Sequence, residues 1–254
     1  MSTSSPERQA LQHKSALVVG VGGLGCPAAL ALAEAGLGRI VLCDDDVVDR
    51  SNLHRQILFS EADVGCDKLV AAERTLYRAG ALPGSIELVR SRFLPENARE
   101  LARSVDVVLE GADNFATKFL CADACFLEAR PVVHGAAVRL RATVLGVAPN
   151  GAPCYRCLFE DLPSGAAAPN CAEAGVLGPV VGLAGALMAD RALSVLLGGS
   201  GATSVFGKLL SYDGKTDSAR EHSLRARAHC ALCSTERTID SITYERYTAP
   251  SCAA

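Results

Sequence analysis

The 254-residue chain has no long run of charge of one sign, and its formal net charge is only −3. That balance gives no electrostatic footprint for nucleic acid or an anionic membrane surface, so neither is expected as a partner. No stretch reads as a membrane span. Ala174 to Leu197 comes nearest, but Glu173, Asp190 and Arg191 bracket or interrupt it, and glycine and proline punctuate it. Met1 to Lys14 is polar and lacks an apolar core, so no secretory signal is expected and the cytoplasm is the expected location. Neither an internal repeat nor a clear interdomain linker is visible. What the chain does have is 49% hydrophobic residues against 21% charged ones, enough to bury one sizeable core. It also has eleven cysteines. The odd count and a reducing compartment both argue against a disulfide framework.

The apolar runs alternate with helical patterns. Ser15 to Gly20 reads as a strand, followed by a glycine turn and a helix opened by Pro27 and stopped by Gly36 and Gly38. Arg39 to Cys43 is a second buried strand, which completes a β-α-β unit. Further strands are expected at Ile86–Val89, Val105–Leu109 and Pro131–Val133, with helices at Val64–Ala79, Pro95–Arg103 and Asn114–Ala129. The alternation predicts a Rossmann-like, doubly wound α/β fold with helices on both faces of a mainly parallel sheet. Ala137–Val147 then reads as one long antiparallel strand and Gly151–Gly175 as a long loop. Leu177–Leu197 reads as an apolar helix, and Ser204–Tyr212 and Arg220–Leu224 as terminal antiparallel strands. Residues 1–14 form a short arm, and Thr235–Ala254 is a weakly patterned tail expected to fray.

Gly20-x-Gly22-x-x-Gly25 lies between the first strand and the first helix. Glycine lets the backbone turn tightly and approach phosphate, and a helix N-terminus favours negative charge. Asp44 follows about 20 residues later, where an acid can bond a ribose hydroxyl. The motif points to a nucleotide. It leaves open an NAD-dependent oxidoreductase or a purely structural turn.

The next segment discriminates. Asp44-Asp-Asp46 and Ser51-Asn-Leu-His-Arg55-Gln-Ile-Leu-Phe59 closely resemble the ThiF/MoeB family and the ubiquitin-activating enzymes of the same fold. Lys68 after Gly65, Asp113-Asn114, Cys154-Tyr-Arg-Cys157, Asn170-Cys171-x-Glu-Ala-Gly175 and Cys230-x-x-Cys233 follow in the family's order. The resemblance covers about residues 10–235. It implies one adenylation domain over 15–235, with a nucleotide-binding half to about 135 and a carrier-binding and zinc half from about 136, before a tail over 236–254. The implied reaction is ATP-dependent adenylation of the C-terminal Gly-Gly carboxylate of a ubiquitin-like sulfur carrier of the ThiS or MoaD type. Nucleophile and triphosphate are both anionic, so such a site needs positive charge and a metal. By the resemblance, Arg55 and Lys68 neutralise phosphates, Asp113 holds Mg²⁺ and Asp44 holds the ribose. Gly20, Gly22, Gly23, Gly25, Asp46, Ser51, Asn52 and Asn114 complete the nucleotide site. Alone, Arg55 or Lys68 would read as a solvated charge and Asp113-Asn114 as a helix cap.

The pairs Cys154/Cys157 and Cys230/Cys233 have the spacing of thiolate ligands for one structural Zn²⁺; the other reading is two pairs of buried or redox cysteines. The resemblance makes Cys171 a reactive cysteine that bonds the carrier or takes part in sulfur transfer, against an inert loop thiol. Cys26, Cys43, Cys66, Cys121, Cys125 and Cys252 carry no motif, and most read as small buried hydrophobes. His54 reads as a site neighbour and His134 as a packed histidine. The resemblance further implies a homodimer and a separate sulfur donor, a cysteine desulfurase or rhodanese. Two departures stand out. The family's upstream Arg-Gln pair has only Arg8-Gln9 as a counterpart, too close to the first strand. Gly111-Ala112 replaces the usual Cys-Thr, a change expected to be benign. Adenylation of another peptide or small carboxylate, and an inactive scaffold subunit, remain as alternatives.

Overall fold

The computed structural model describes residues 5–162 and 175–247. Among these residues, eight strands form one sheet: β1 (Ser15–Val19), β2 (Arg39–Asp44), β3 (Ile86–Arg90), β4 (Val107–Glu110), β5 (Val132–Val138), β6 (Arg141–Val147), β7 (Lys208–Asp213) and β8 (Ser218–Ser223). Their order is β3-β2-β1-β4-β5-β6-β7-β8. Strands β3, β2, β1, β4 and β5 pair in parallel, and β6, β7 and β8 add on antiparallel. The expected α/β class and its antiparallel extension are both present.

The parallel strands are continuous apolar runs because both of their faces are covered. Ala16, Val18, Ile40, Leu42, Val107 and Leu109 point into one core, shared with helices α2 (Gly25–Ala35), α3 (Lys68–Arg78) and α7 (Gly178–Leu197). Leu17, Val19, Val41, Cys43 and Val108 point into the other, with α4 (Ala98–Arg103) and α5 (Phe115–Leu127). A one-residue slip would exchange the two sets, so the register is fixed by two packed faces rather than one.

Gly25 opens α2 and lets it lie against the preceding turn: a Cβ there would sit 1.9 Å from the Gly20 carbonyl oxygen. Gly36 ends the helix in the left-handed conformation, φ 83°, with its N–H on the Ala33 carbonyl. Helix α7 is apolar and long enough to cross a bilayer by composition alone. Here it is a core helix against α2 and β5, and Gly185 lets it approach to where a Cβ would meet the Leu24 carbonyl at 2.3 Å.

Three expectations are corrected. Ala137–Val147 is not one strand. β5 runs through to Val138, the chain reverses at Arg139 (φ 55°) and Leu140, and β6 returns antiparallel. The boundary expected near residue 135 therefore falls inside β5. Ser204–Val205 is the end of a short helix, α8 (Gly199–Val205), and strand β7 begins only at Lys208. The segment after residue 235 does not fray where it is described. Ile239 and Tyr247 are buried, and the N–H groups of Thr238 and Ile239 both bond the Ala231 carbonyl. At the other end, helix α1 (Ser5–Leu11) buries Leu11 and places Arg8 Nη1 on the Glu34 carbonyl, 2.9 Å away at the C-terminal end of α2. Its partner is thus at the end of α2 opposite the glycine turn.

Candidate active site

Strands β1 and β4 are neighbours, and their connections leave in opposite directions across the sheet. Beyond their carboxyl ends lies the crevice where doubly wound sheets bind ligands. A cleft of about 870 Å³ occupies this place. Gly20, Gly22, Gly23, Asp44, Asp46, Ser51, Asn52, Arg55, Lys68, Asp113 and Asn114 all line it. Of the expected nucleotide residues only Gly25 does not, since it lies beneath the turn and serves packing.

The turn is shaped by its neighbours. Gly20 has φ 82° and donates its N–H to the Cys43 carbonyl at 2.9 Å. The Asp44 carboxylate accepts the Val21 N–H at 2.7 Å through one oxygen and the Asp46 N–H at 2.9 Å through the other. It therefore braces the glycine turn and still has lone pairs free for a ribose. Gly23 faces Val181 and Arg55; a Cβ there would approach Val181 to 2.7 Å. The Arg55 side chain is half-buried and has no ion-pair partner among the described residues. Lys68 is buried at the start of α3 and pairs with Asp46 at 2.8 Å, while Asp67 caps that helix through the Val70 N–H. Ser51 donates to Asp49 at 2.5 Å, and the Asp49 carboxyl is held low first by that hydroxyl.

Asp113 and Asn114 behave differently. Asn114 caps α5, accepting the Thr117 N–H at 2.8 Å. Asp113 is exposed in the cleft, and its carboxylate bonds no described residue. A carboxylate without a described partner, beside a glycine turn, suits a hard cation such as Mg²⁺, which proteins usually hold by one or two carboxylates plus phosphate oxygens.

Several lining residues were not anticipated. Gln56 is buried, with Oε1 lacking any hydrogen-bond partner, and Phe93 closes the cleft beside the end of β3. Gln56 sits inside the recognised Ser51–Phe59 segment, which is its only sequence signal. His54 lines the cleft, its Nδ1 2.8 Å from the Ser51 carbonyl, and is a neighbour as expected. His134 proves to be part of a buried charged cluster behind the cleft. Its Nδ1 lies 3.1 Å from Glu110 Oε2, and Lys118 Nζ lies 3.0 Å from the same oxygen.

The four expected zinc ligands converge. Cys154 Sγ lies 3.5 Å from Cys230 and 3.9 Å from Cys157, and Cys157 lies 3.4 Å from Cys233. The edges of a tetrahedron of thiolates about 2.3 Å from zinc are about 3.8 Å long, so the cluster fits the ion. Burial pushes the Cys233 thiol up to about 12 and Cys154 higher still. A divalent cation would reverse that cost by taking the thiolates directly. The two residues between the first pair open the short helix α6 (Tyr155–Leu158) and are not spacers. Arg156 makes a bidentate pair with buried Asp123 on α5, both contacts at 2.8 Å, and Tyr247 donates to the same carboxylate at 2.8 Å. The Tyr155 ring packs on His134 with centroids 4.5 Å apart. Cys171, with Asn170 and Glu173, lies outside the described residues. Cys26, Cys43, Cys121 and Cys125 are buried as expected, and burial raises Cys26 and Cys43 to about 12; Cys66 is exposed. Cys252 also lies outside the described residues.

A family model described as the ThiF family matches residues 2–235. The chain belongs to the ThiF family. Among curated proteins, it is 42% identical to the adenylyltransferase and sulfurtransferase MOCS3 of Aedes aegypti over 93% of this chain and 54% of that protein. It is 39% identical to the SAMP-activating enzyme E1 of Haloferax volcanii, over 95% of this chain and 88% of that one. The chain thus spans about half the length of the MOCS3 relatives it matches. Among solved structures, Escherichia coli MccB crystallised with MccA-N7isoASN shares the fold, with a TM-score of 0.76 at 22% identity over 90% of this chain and 69% of that one.

Proposed function

We propose that the chain adenylates the C-terminal Gly-Gly carboxylate of a small ubiquitin-like sulfur-carrier protein, consuming ATP and releasing pyrophosphate. The observation that carries this reading is the composition of one cleft: a glycine turn suited to phosphate, two cations at Arg55 and Lys68, and a carboxylate at Asp113 with no partner among the described residues. A carrier carboxylate oxygen attacks the α-phosphorus, the bond to the pyrophosphate oxygen breaks, and an acyl-adenylate and pyrophosphate result. Arg55 and Lys68 offset the repulsion between nucleophile and triphosphate and the charge that develops on the leaving group. Asp44 orients the ribose, and Gly20, Gly22 and Gly23 let the phosphates approach the backbone. Asp113 would hold Mg²⁺, which would supply charge neutralisation at the phosphates.

On this reading the activated carrier receives sulfur from a separate cysteine desulfurase or rhodanese, in thiamine or molybdenum cofactor synthesis. The enzyme works as a homodimer in the cytoplasm, and Cys171 serves the covalent or sulfur-transfer step. The names of the MOCS3 and SAMP-activating relatives support this assignment over another peptide or small carboxylate. The retained Arg55, Lys68 and Asp113 speak against an inactive scaffold subunit.

The test is ATP–pyrophosphate exchange by purified protein with Mg²⁺. Exchange is expected only with a carrier bearing a free Gly-Gly terminus, and deletion of the last glycine should abolish it by misplacing the nucleophile. Equal exchange without any carboxylate partner, or reduction of NAD, refutes the reading.

A further inference from the structure

Asp113 presents its carboxylate without a bond to any described residue, so its position is set by the backbone on either side. On the far side, Asn114 fixes the start of α5. On the near side, two backbone N–H groups anchor the chain. Gly111 donates to the Val19 carbonyl at 3.0 Å, and Ala112 donates to Glu110 Oε1 at 2.7 Å. The second anchor is unusual, because the acceptor is a fully buried carboxylate.

That carboxylate is itself held from two sides. Lys118, one turn into α5, donates to both of its oxygens at 3.2 and 3.0 Å and to the Gly135 carbonyl at 2.6 Å. His134 approaches Oε2 at 3.1 Å, and its ring is backed by Tyr155 from between Cys154 and Cys157. A buried ion pair contributes little stability that apolar side chains could not match. What apolar side chains could not do is accept an N–H and so fix a loop. We infer that Glu110 is a positioning residue for Asp113, and that Lys118 and His134 hold its carboxylate in the orientation that grips the Ala112 amide. The inference rests on the reading of Asp113 as a metal ligand and deepens that site. A glutamine at position 110 still has an oxygen for Ala112, but its amide N–H₂ then confronts the Lys118 ammonium and the grip is lost. An error near 1 Å in a ligating group is enough to cost orders of magnitude in rate.

The experiment compares two ligands on zinc-loaded protein. The Glu110→Gln and Lys118→Met variants should raise the Kd for Mn²⁺–ATP about tenfold, while the Kd for AMP without added divalent metal stays at the wild-type value. General damage to the fold would weaken both ligands together, and that result overturns the inference, as does a folded Glu110→Gln variant with wild-type Mn²⁺–ATP binding. A second measurement needs no variant. In the wild-type protein the Ala112 amide should be protected from hydrogen exchange and the neighbouring Asp113 amide should not; equal, fast exchange at both refutes it. Asp113→Asn serves as control. If that change leaves Mn²⁺–ATP binding intact, the metal reading falls and this inference with it. If Asp113→Asn weakens binding and Glu110→Gln does not, only the positioning role fails.

Discussion

The ammonium of Lys68 lies 2.8 Å from Oδ2 of Asp46, with the lysine 4% exposed and the aspartate 66% exposed. A buried cation thus rests on a carboxylate at the rim of the cleft, and on the proposed reading an incoming triphosphate would compete for it. Lys68→Ala should therefore reduce carrier-dependent pyrophosphate exchange by about 10²- to 10³-fold, the usual effect of removing one preorganised electrostatic contact. Asp46→Asn removes only the resting partner and should cost much less. Exchange rates at saturating ATP decide the matter, and an Asp46→Asn loss as large as that of Lys68→Ala would contradict this division.

Adjacent residues 113 and 114 should separate activity from stability. Asp113→Ala removes a side chain that bonds no described residue, so the melting temperature should hold while exchange falls by at least about 10²-fold. Asn114→Ala removes a helix cap and should cost about 1 kcal/mol, or roughly 2–4 °C, by calorimetry.

Metal analysis should find about one zinc per chain, lost on replacing Cys154 or Cys230 by serine. Strong chelation should lower the melting temperature before it touches the chemistry, because four thiolates leave no open position on the ion. A metal-free protein with unchanged melting would contradict the assignment.

Acid should destabilise the fold in two stages. Burial pushes His134 below its ordinary value of 6.5. Glu110 is also buried, which would raise it, but Lys118 and His134 outweigh the burial and hold it below its ordinary 4.5. Both groups bind fewer protons folded than unfolded, so stability falls as pH falls. The loss begins as pH drops through about 6.5 for the histidine and through about 4.5 for the glutamate. Melting temperatures measured from pH 8 to pH 3.5 should trace both steps, and Glu110→Gln should shrink the lower one without removing it, because Glu128 and Asp63 are also held low by their hydrogen-bond partners.

Adenylation requires phosphate neutralisation and a placed carboxylate, and neither needs a thiol. Cys171→Ser should leave exchange largely intact and abolish any reductant-sensitive adduct between enzyme and carrier. Intact mass spectrometry with and without dithiothreitol is the readout. Loss of exchange in a folded variant would move Cys171 into the first step.

Much of this architecture was legible because its signals are local. The runs at Ser15–Val19 and Arg39–Asp44 are continuous and β-branched, and the glycine turn, Asp44 and the cysteine pairs sit at fixed spacings along the chain. The hairpin at Arg139 and Leu140 was not legible: a non-glycine residue at φ 55° carries no turn signature, so two strands read as one. Helix α8, built from Gly, Ser, Ala and Thr with a final Val205, lacks both helical periodicity and a side-chain cap. The Glu110–Lys118–His134 cluster was hidden for another reason. Its members sit on three different elements, β4, α5 and β5, and each alone resembles a strand end, a helix charge or a packed histidine. Only the parallel pairing of β4 with β5, which sets Glu110 opposite His134, brings them together. Arg156 was hidden by the cysteines that flank it.

Strand β5 pairs in parallel with β4 on one side and antiparallel with β6 on the other, and it runs through the expected division near residue 135. A chimera joined there would ask one strand to take its two edges from different parents. His134 would come from one and Gly135, whose carbonyl receives Lys118, would lie at the seam. Family members that differ at these positions should exchange halves poorly at this point. Crossovers placed after β6, where Ala148 to Gly151 leave the sheet, keep both neighbours of β5 with their native partner. The two halves expected on either side of residue 135 are therefore not interchangeable cassettes, and their shared strand sets where evolution or an engineer can recombine them.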